Sequence, residues 1–358
     1  MRAESPILDA SMVLLIGVRP ASHSGFQTAV TDMKKLAVFT GLFLVLALNS
    51  NVYAQSAKKY KIGALTKSLA NNRFLEMKEG YECAQKKFGV DIVLGSTPTE
   101  RDDVEQLKLF QSWLAEGSCD GFVVTPVTAT SLNSALTAAT RKNKPIINVD
   151  ELIPADAARA DHIEVVTRIC PNNVEVGKLQ AHLVLNWVPK GSDVAVIEGD
   201  PRTVYSVDRV TGFTNAVIEG GLKVVASQPA NWNRKEAYDI ATKILTTHPN
   251  VKAIFVASDN MAIGAIQAAA AVGAIGKVIL VSVGGTPEAI DAVKHGLLAA
   301  TVAEYPDAMA YLAVEMMVRK LKGELVPARI DSPIKLITKD NLSEGTKFYR
   351  TTLEGLRP

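Results

Sequence analysis

The chain of 358 residues is long enough for two domains of ordinary size or for one large domain. Hydrophobic residues make up 47% and charged residues 21% of the chain, a composition unlike that of a disordered protein. The formal net charge is only +2, and Lys and Arg are dispersed along the chain, which argues against a protein that binds nucleic acid.

A segment near the N-terminus has the pattern of an export signal. Met33-Lys34-Lys35 is followed by the apolar run L-A-V-F-T-G-L-F-L-V-L-A-L, and small or aliphatic residues stand at Val52 and Ala54. The run is shorter than the ~20 residues of a transmembrane helix, although a retained membrane anchor stays an alternative. We therefore expect residues 33–54 to be a signal peptide that is cleaved after Ala54, which would leave a periplasmic protein.

Residues 1–32 do not fit ahead of such a signal. They carry charged, polar and Pro residues in no periodic pattern. We expect them to be an extension from a start codon assigned too early, with Met33 as the initiator. The mature protein would begin at Gln55, and since Gln is not Cys, no lipid anchor is expected at that position.

From Lys58 onward, short strand-like runs alternate with longer helical patterns, which is typical of βαβ units and parallel sheets. Strands in the first half are predicted at 61–66, 91–95, 121–126 and 145–150. Helices are predicted at about 74–88, 103–116 and 131–142. The first of these helices has Phe74, Met77, Tyr81 and Ala84 on one apolar stripe.

A polar stretch at 151–162 interrupts this rhythm, and the alternation then restarts. Strands are predicted at 194–198, 223–227, 253–257, 278–283, 298–303 and 333–338. Helices are predicted at 173–188, 208–220, 234–247, 287–295 and 307–321, with one more after Ser258. The fold class is therefore α/β, with two similar halves that are doubly wound if right-handed crossovers apply.

The junction after the strand 253–257 shows how each unit is built. Ser258 or Asp259 can accept a backbone N–H from the first turn of the following helix, so either residue can cap it. This turn lies at the carboxyl end of a strand, which is where open α/β sheets bind their ligands.

Polar and aromatic residues follow the predicted strands in both halves, and together they suit a neutral polyhydroxylated ligand. Carboxylates accept hydrogen bonds from hydroxyl groups, amides both donate and accept, and aromatic faces cover the C–H faces of a sugar ring. Turns and helix caps also place polar residues at strand ends, and for Asp200 and Asp259 a capping role is favoured over ligand binding. Arg209 is interpreted as an internal ion-pair partner.

Three cysteines remain after processing, Cys83, Cys119 and Cys170. The odd number excludes a complete disulfide framework, and their spacing does not suggest a metal site. One disulfide bond in an oxidising compartment stays open, but we favour three thiols.

Several motifs recur in the order seen in ribose-, galactose- and allose-type periplasmic binding proteins of ABC transporters, which this chain resembles. They are N-N-R-F-L-E-M-K-E-G (71–80), G-F-V-V-T-P (121–126), I-I-N-V-D (146–150), D-R-V-T-G-F (208–213), S-D-N-M-A-I-G (258–264), G-G-T-P-E-A (284–289) and L-A-A-T-V-A-E-Y-P (298–306). The resemblance implies two Rossmann-like lobes joined by three crossovers, with the ligand between them. It implies lobe 1 at 55–168 and 305–332, lobe 2 at 169–304 and 333–345, and a C-terminal tail at 346–358.

The resemblance also implies a set of ligand-binding residues. Asn71 matches an amide contact in the first lobe, Asp150 a carboxylate that binds hydroxyls, and Trp232 a stacking aromatic of the second lobe. Arg73 and Phe74 stand where ribose-binding proteins have two aromatics, Thr125 replaces an amide, and Glu151 resembles the second acid of an Asp-Glu pair in allose-type proteins. Tyr205, Ser258, Gly284 and Glu304 complete the expected set.

Some positions depart from the family pattern. Val207 occupies the position of a ligand-binding Arg, Ser258 that of an Asn, and Gly284 that of an Asp that binds hydroxyls. Glu304 stands where relatives have Gln and would compensate in part. These departures predict a different pentose or hexose, a deoxy sugar or a sugar alcohol as the ligand.

The resemblance implies a monomeric binding protein that delivers its solute to an ABC transporter permease, without a cofactor, a metal or nucleic acid. A periplasmic sensor that presents its ligand to a chemoreceptor or a histidine kinase stays an alternative. An enzyme is disfavoured because G-x-x-x-x-G-K-[ST], H-E-x-x-H and G-x-S-x-G are absent and the five His residues are scattered. A sugar-responsive repressor is disfavoured by the export signal.

Overall fold

The computed structural model describes residues 59–342, which form two six-stranded sheets with helices on both sides. The predicted signal peptide, its cleavage after Ala54, the extension at 1–32 and the tail at 346–358 lie outside the described residues. Within 59–342, none of the helices combines the length and the apolar character needed to cross a membrane.

The first sheet is built from strands that are all parallel. Its strands are β1 (Lys61–Leu65), β2 (Asp91–Gly95), β3 (Gly121–Val124), β4 (Ile146–Val149), β5 (Val165–Cys170) and β11 (Arg329–Asp331). Their order across the sheet is β11-β5-β4-β3-β1-β2. β3 and β4 are buried along their whole length, as expected for parallel strands covered on both faces.

Helices cover both faces of the first sheet. They are α1 (Asn72–Phe88), α2 (Asp103–Glu116), α3 (Asn133–Arg141), α4 (Ala155–Ala160) and α10 (Pro306–Leu321). The predicted stripe of α1 is buried and packs with Met309, Ala313 and Met317 of α10 in one core. Phe110 of α2 and Leu136 of α3 belong to a second core. The two cores explain why the stripes of these helices are apolar.

The second sheet repeats the architecture with one antiparallel edge strand. Its strands are β6 (Asp193–Glu198), β7 (Lys223–Pro229), β8 (Ala253–Val256), β9 (Ile279–Gly284), β10 (Ala300–Glu304) and β12 (Ile334–Thr338), in the order β12-β10-β9-β8-β6-β7. Its helices are α5 (Asn173–Trp187), α6 (Val204–Glu219), α7 (Arg234–Thr247), α8 (Asp259–Ala271) and α9 (Pro287–Lys294). β12 runs antiparallel to β10, and the other pairs are parallel.

The chain passes between the two sheets three times. It leaves the first sheet after Cys170, returns after Glu304, and leaves again between Asp331 and Ile334. We call the part organised on the first sheet the first lobe and the part organised on the second sheet the second lobe. The predicted fold class, with two doubly wound lobes joined by three crossovers, is confirmed.

Two strands and one α-helix within residues 59–342 were not predicted from the sequence. β5 contains Thr167 and Arg168 in its middle, so it lacks a continuous apolar run. β11 has only three residues, two of them exposed, and it forms an edge of the first sheet. α4 has six residues with only Ala158 buried. Each of these elements therefore carries little of the periodic pattern from which strands and helices are predicted.

The three cysteines form no disulfide bond. Cys119 and Cys170 are buried, and Cys83 is partly buried on α1. Burial raises the pKa of the Cys170 thiol to about 12 and also raises that of Cys119. A raised pKa keeps a thiol protonated and therefore unreactive.

Candidate ligand-binding site

A cavity of about 620 Å³ lies between the two lobes, beyond the carboxyl ends of their strands. Most of the predicted site residues line it: Asn71, Arg73, Tyr205, Trp232, Ser258, Gly284 and Glu304. These residues are distant in the sequence. Asn71 and Glu304 are separated by 233 positions (304 − 71), yet both line the cavity.

The remaining predicted residues, Phe74, Thr125, Asp150 and Glu151, are not among those that line the cavity. Phe74 is fully buried in the core between α1 and α10, on the stripe that it shares with Met77, so the structure does not place its ring against the cavity. Thr125, Asp150 and Glu151 follow β3 and β4 and are also buried. Of these three, Asp150 contacts Arg73, which does line the cavity.

Arg73 joins the two predicted carboxylates. Its Nε and Nη2 donate to Oδ1 of Asp150 at 3.0 and 2.5 Å, and its Nη1 donates to Oε2 of Glu304. Asn71 caps the N-terminus of α1, because its side chain accepts a hydrogen bond from the backbone N–H of Arg73 at 3.0 Å. Arg73 therefore places a charged side chain at a position where the family resemblance implies an aromatic ring.

Arg209 holds the other oxygen of Glu304. Its Nη2 donates to Oε1 of Glu304 at 2.5 Å, its Nε to Asn173 at 2.8 Å and its Nη1 to the carbonyl of Ala257 at 3.0 Å. The interpretation of Arg209 as an ion-pair partner is confirmed, and its side chain also lines the cavity. Both oxygens of Glu304 are therefore occupied by arginines.

Asp150 and Glu151 are adjacent acids in different protonation states. Burial alone would raise the pKa of Asp150, but the charge and hydrogen bonds of Arg73 lower it below its ordinary value. Burial raises the pKa of Glu151 to about 8, against the opposing effects of Lys67 and of the backbone N–H of Val204. At neutral pH, Asp150 is therefore ionised and Glu151 retains its proton.

Two aromatic rings stack on the second-lobe side of the cavity. The ring centroids of Tyr205 and Trp232 are 4.8 Å apart, with an angle of 26° between their planes. Nζ of Lys67 lies 5.0 Å from the centroid of Tyr205 and 3.4 Å from its hydroxyl. One face of Trp232 is thus covered by Tyr205, and Gly199 lies against the six-membered part of its ring system.

Three residues of the cleft have left-handed backbone conformations, with φ of 65° at Asp150, 52° at Asn231 and 63° at Trp232. Such conformations are costly for residues other than Gly and occur preferentially at binding sites.

The loop that contains Gly284 is held by Asp259. The carboxylate of Asp259 accepts from Ser282 Oγ at 2.5 Å, from Thr301 Oγ1 at 2.7 Å and from the backbone N–H of Thr286 at 2.8 Å. Gly284 has a φ of 148°, and a Cβ built there would lie 2.6 Å from Oδ2 of Asp259. The helix cap at this junction is Ser258, whose hydroxyl accepts the backbone N–H of Met261 at 3.4 Å.

Sequence reasoning missed Lys67 and Glu100. Glu100 lines the cavity in the loop after β2 and accepts from Nδ2 of Asn71 at 2.6 Å, and Lys67 is buried just after β1 beside Tyr205. Both residues follow strands of the first sheet, so the strand-end rule that selected Asp150 would also have selected them.

Three further contacts join the two lobes across the cleft. Oε1 of Glu151 accepts a hydrogen bond from the backbone N–H of Val204 at 2.7 Å. Nζ of Lys67 donates to the hydroxyl of Tyr205 at 3.4 Å. At the exposed mouth, Nη2 of Arg101 lies 3.5 Å from Oε1 of Glu236. Among residues 59–342, no cluster of His, Cys, Asp or Glu is arranged to hold a metal ion.

The chain is similar in sequence to known periplasmic sugar-binding proteins. The chain is 34% identical over 307 residues to the D-allose-binding periplasmic protein of Escherichia coli K12, covering 85% of this chain and 97% of the relative. It is 31% identical over 308 residues to the ribose import binding protein RbsB of the same organism, covering 86% and 99%.

Its structure is similar to that of an ABC transporter periplasmic solute binding protein from Actinobacillus succinogenes 130z with bound D-allose. The TM-score is 0.76 at 30% identity, covering 80% of this chain and 100% of the other. The family model described as periplasmic binding protein domain matches residues 62–325. The chain therefore belongs to the periplasmic binding protein domain family.

Proposed function

We propose that this protein captures a sugar or sugar alcohol between its two lobes in the periplasm and delivers it to the permease of an ABC transporter. The observation that carries the proposal is a set of buried polar atoms beyond the carboxyl ends of the strands that have no hydrogen-bond partner within the protein. They are Oδ2 of Asp150, Oε2 of Glu151, Oγ1 of Thr125 and Nε1 of Trp232. Each such group costs about 1–3 kcal/mol if it stays unsatisfied.

A polyhydroxylated solute matches this set chemically. A hydroxyl can donate to the ionised Asp150 and accept from the indole N–H of Trp232, while the protonated Glu151 can either donate or accept. The named relatives bind D-allose and ribose, which belong to this class of solute. The replaced positions, Arg73, Val207 and Gly284, favour a sugar or polyol that differs from these two.

The finer parts of the proposal concern processing, lobe boundaries and partners. The protein is exported by residues 33–54, cleaved after Ala54, and works as a monomer with lobes at 55–168 plus 305–332 and at 169–304 plus 333–345. A chemoreceptor as a second partner would contact the same closed form. Mass spectrometry of the exported protein tests the cleavage, and light scattering tests the monomer.

The experiment for the function is a thermal-shift screen of the mature protein from Gln55 to Pro358. The panel contains pentoses, hexoses, deoxy sugars and polyols, and calorimetry follows for each solute that raises the melting temperature. A ligand stabilises the folded state by RT ln(1 + [L]/Kd), so a solute at 100-fold its Kd adds about 2.7 kcal/mol. A panel without any stabilising solute, each present at millimolar concentration, would contradict carbohydrate binding.

A further inference from the structure

The ion pairs in the cleft form one continuous chain of alternating charge. It runs from Asp150 to Arg73, then to Glu304 and finally to Arg209. Asp150 follows β4 and Arg73 lies on α1, so both belong to the first lobe, whereas Glu304 ends β10 and Arg209 lies on α6 of the second lobe. The Arg73–Glu304 pair is therefore the step at which the chain of charges crosses from one lobe to the other.

The crossing pair is well shielded from water. The side chain of Glu304 has no exposed surface, and that of Arg73 is 15% exposed. Ion pairs at exposed sites contribute little, about 0–1 kcal/mol, but a buried charge that loses its partner is strongly destabilising. Separation of the lobes at this point would break the Arg73–Glu304 pair and leave Arg73 with Asp150 alone and Glu304 with Arg209 alone.

The family resemblance implies different residues at both positions of the pair. It implies an aromatic ring at the position of Arg73 and Gln at that of Glu304. A ring and an amide would form no ion pair. The two differences therefore make sense jointly, because each supplies the charge that the other requires.

We propose that Arg73 and Glu304 form a strap, meaning an ion pair between the lobes that favours the closed arrangement of the protein before any solute binds. The strap also determines which acceptors a solute meets. Arg73 occupies Oδ1 of Asp150, the two arginines occupy both oxygens of Glu304, and Oδ2 of Asp150 is left without a protein partner. The inference concerns the ligand-free protein, so it does not depend on which solute is bound.

The test is small-angle X-ray scattering of the ligand-free exported protein and of a double-mutant cycle. The variants are Arg73→Met, Glu304→Gln and the combination of both. We expect the wild-type curve to match the closed arrangement. Each single variant should have a larger radius of gyration than the wild type. Its ratio of closed to open molecules should be lower than that of the wild type by a factor on the order of ten. The double variant should open less than the sum of the single effects, because both substitutions remove the same Arg73–Glu304 pair.

Arg101→Gln is the matched control. It removes an arginine that also pairs across the cleft, with Glu236, but at the exposed mouth, where 51% and 39% of the two side chains are exposed. We expect its scattering to equal that of the wild type.

The strap is refuted if the wild-type protein is already open without ligand. It is also refuted if Glu304→Gln leaves the curve unchanged, or if Arg101→Gln opens the protein equally. Should a single variant fail to fold in circular dichroism, the double variant, which removes one charge of each sign, carries the comparison with the wild type and must open to support the strap. A protein that binds no sugar leaves all these measurements interpretable.

Discussion

Asp150 combines three properties that are costly for a carboxylate. It is buried, its backbone is left-handed with a φ of 65°, and one of its oxygens has no partner within the protein. Arg73 makes the ionised form tolerable through a two-pronged contact to the other oxygen. A residue kept under such conditions by its surroundings is well suited to bind a solute, because a hydroxyl that meets the remaining oxygen removes the cost of its burial.

We expect Asp150→Ala to lose most of the solute affinity while the fold stays intact. A hydrogen bond to a charged group contributes about 1.5–3 kcal/mol, which corresponds to roughly a 10- to 150-fold weaker binding. Calorimetry with the best solute of the screen measures the loss, and Asp156→Ala, at an exposed position on α4, is the control. Unchanged affinity in Asp150→Ala would remove Asp150 from the proposed site.

The backbone and surroundings of Gly284 disfavour the Asp that the family resemblance implies at this position. Gly284→Asp would place a Cβ against the carboxylate of Asp259 at a φ of 148° that side chains rarely adopt. We expect a loss of about 2–4 kcal/mol in the free energy of unfolding, from strain and crowding together. Gly276→Asp is the control, because Gly276 also has a positive φ but open space around it. Urea unfolding should show a clearly smaller loss for the control.

At the scale of elements, the second lobe depends on the close approach of α5 and α6. A Cβ at Gly177 would overlap the carbonyl oxygen of Arg209, and a Cβ at Gly212 would overlap that of Val174. The two glycines therefore allow the helix backbones to touch. Because Arg209 lies one turn before Gly212 on α6, the packing of these helices also determines where its guanidinium meets Glu304.

We expect Gly212→Ala to destabilise the protein even though Ala is the better helix former by about 1 kcal/mol. The new methyl group must push α6 away from α5, at a cost of about 1–3 kcal/mol for crowding in a packed core, and the shift should also weaken solute binding through Arg209. Asn215→Ala, at an exposed position of the same helix, should instead be neutral or slightly stabilising in urea unfolding. Equal stability of both variants would contradict the proposed role of the glycine.

Elements were predictable from the sequence where packing imposes a period. α1, α2 and α7 bury one stripe each, and β3, β4 and β8 are buried throughout, so their patterns are strong. β11 gains its place by pairing at a sheet edge with β5, which is about 160 residues away in the chain, and no local pattern encodes that.

The site was predictable to a similar degree. The sequence allowed residues at strand ends to be predicted as site residues. It did not predict the ion pair between Arg73 and Glu304, because their spacing in the sequence does not imply contact and only the three-dimensional structure brings them together.

At the scale of the whole molecule, the burial of Glu151 is expected to make the stability of the folded protein depend on pH. Its contact with the backbone of Val204 joins the lobes, and its pKa of about 8 lies well above the ordinary value of 4.5. A raised pKa means that the closed, folded protein holds a proton that the unfolded chain releases. The stability from this group is complete below about pH 4.5 and is lost as the pH rises through about 8.

We therefore expect solute affinity and melting temperature to fall between about pH 6 and 8.5 in the wild type, as Glu151 ionises beside Asp150. Glu151→Gln keeps an oxygen for Val204 but cannot ionise, so its profile should be flatter. Some slope should remain in the melting temperature, because burial also raises the pKa of Glu76 to about 8 and that of Asp307 to about 6. Glu219→Gln, at an exposed position, should reproduce the wild-type profile, and an equally steep profile in Glu151→Gln would contradict the assignment.

The three passages of the chain between the sheets have a consequence for biosynthesis. The first sheet obtains its edge strand only at Arg329–Asp331, and the second obtains its antiparallel edge strand only at Ile334–Thr338. The core of the first lobe also lacks Met309, Ala313 and Met317 until α10 has been made. Neither lobe can thus be completed on the ribosome before nearly the whole polypeptide has been synthesised. Under the proposed export of an unfolded precursor, such late completion would keep the chain competent for translocation.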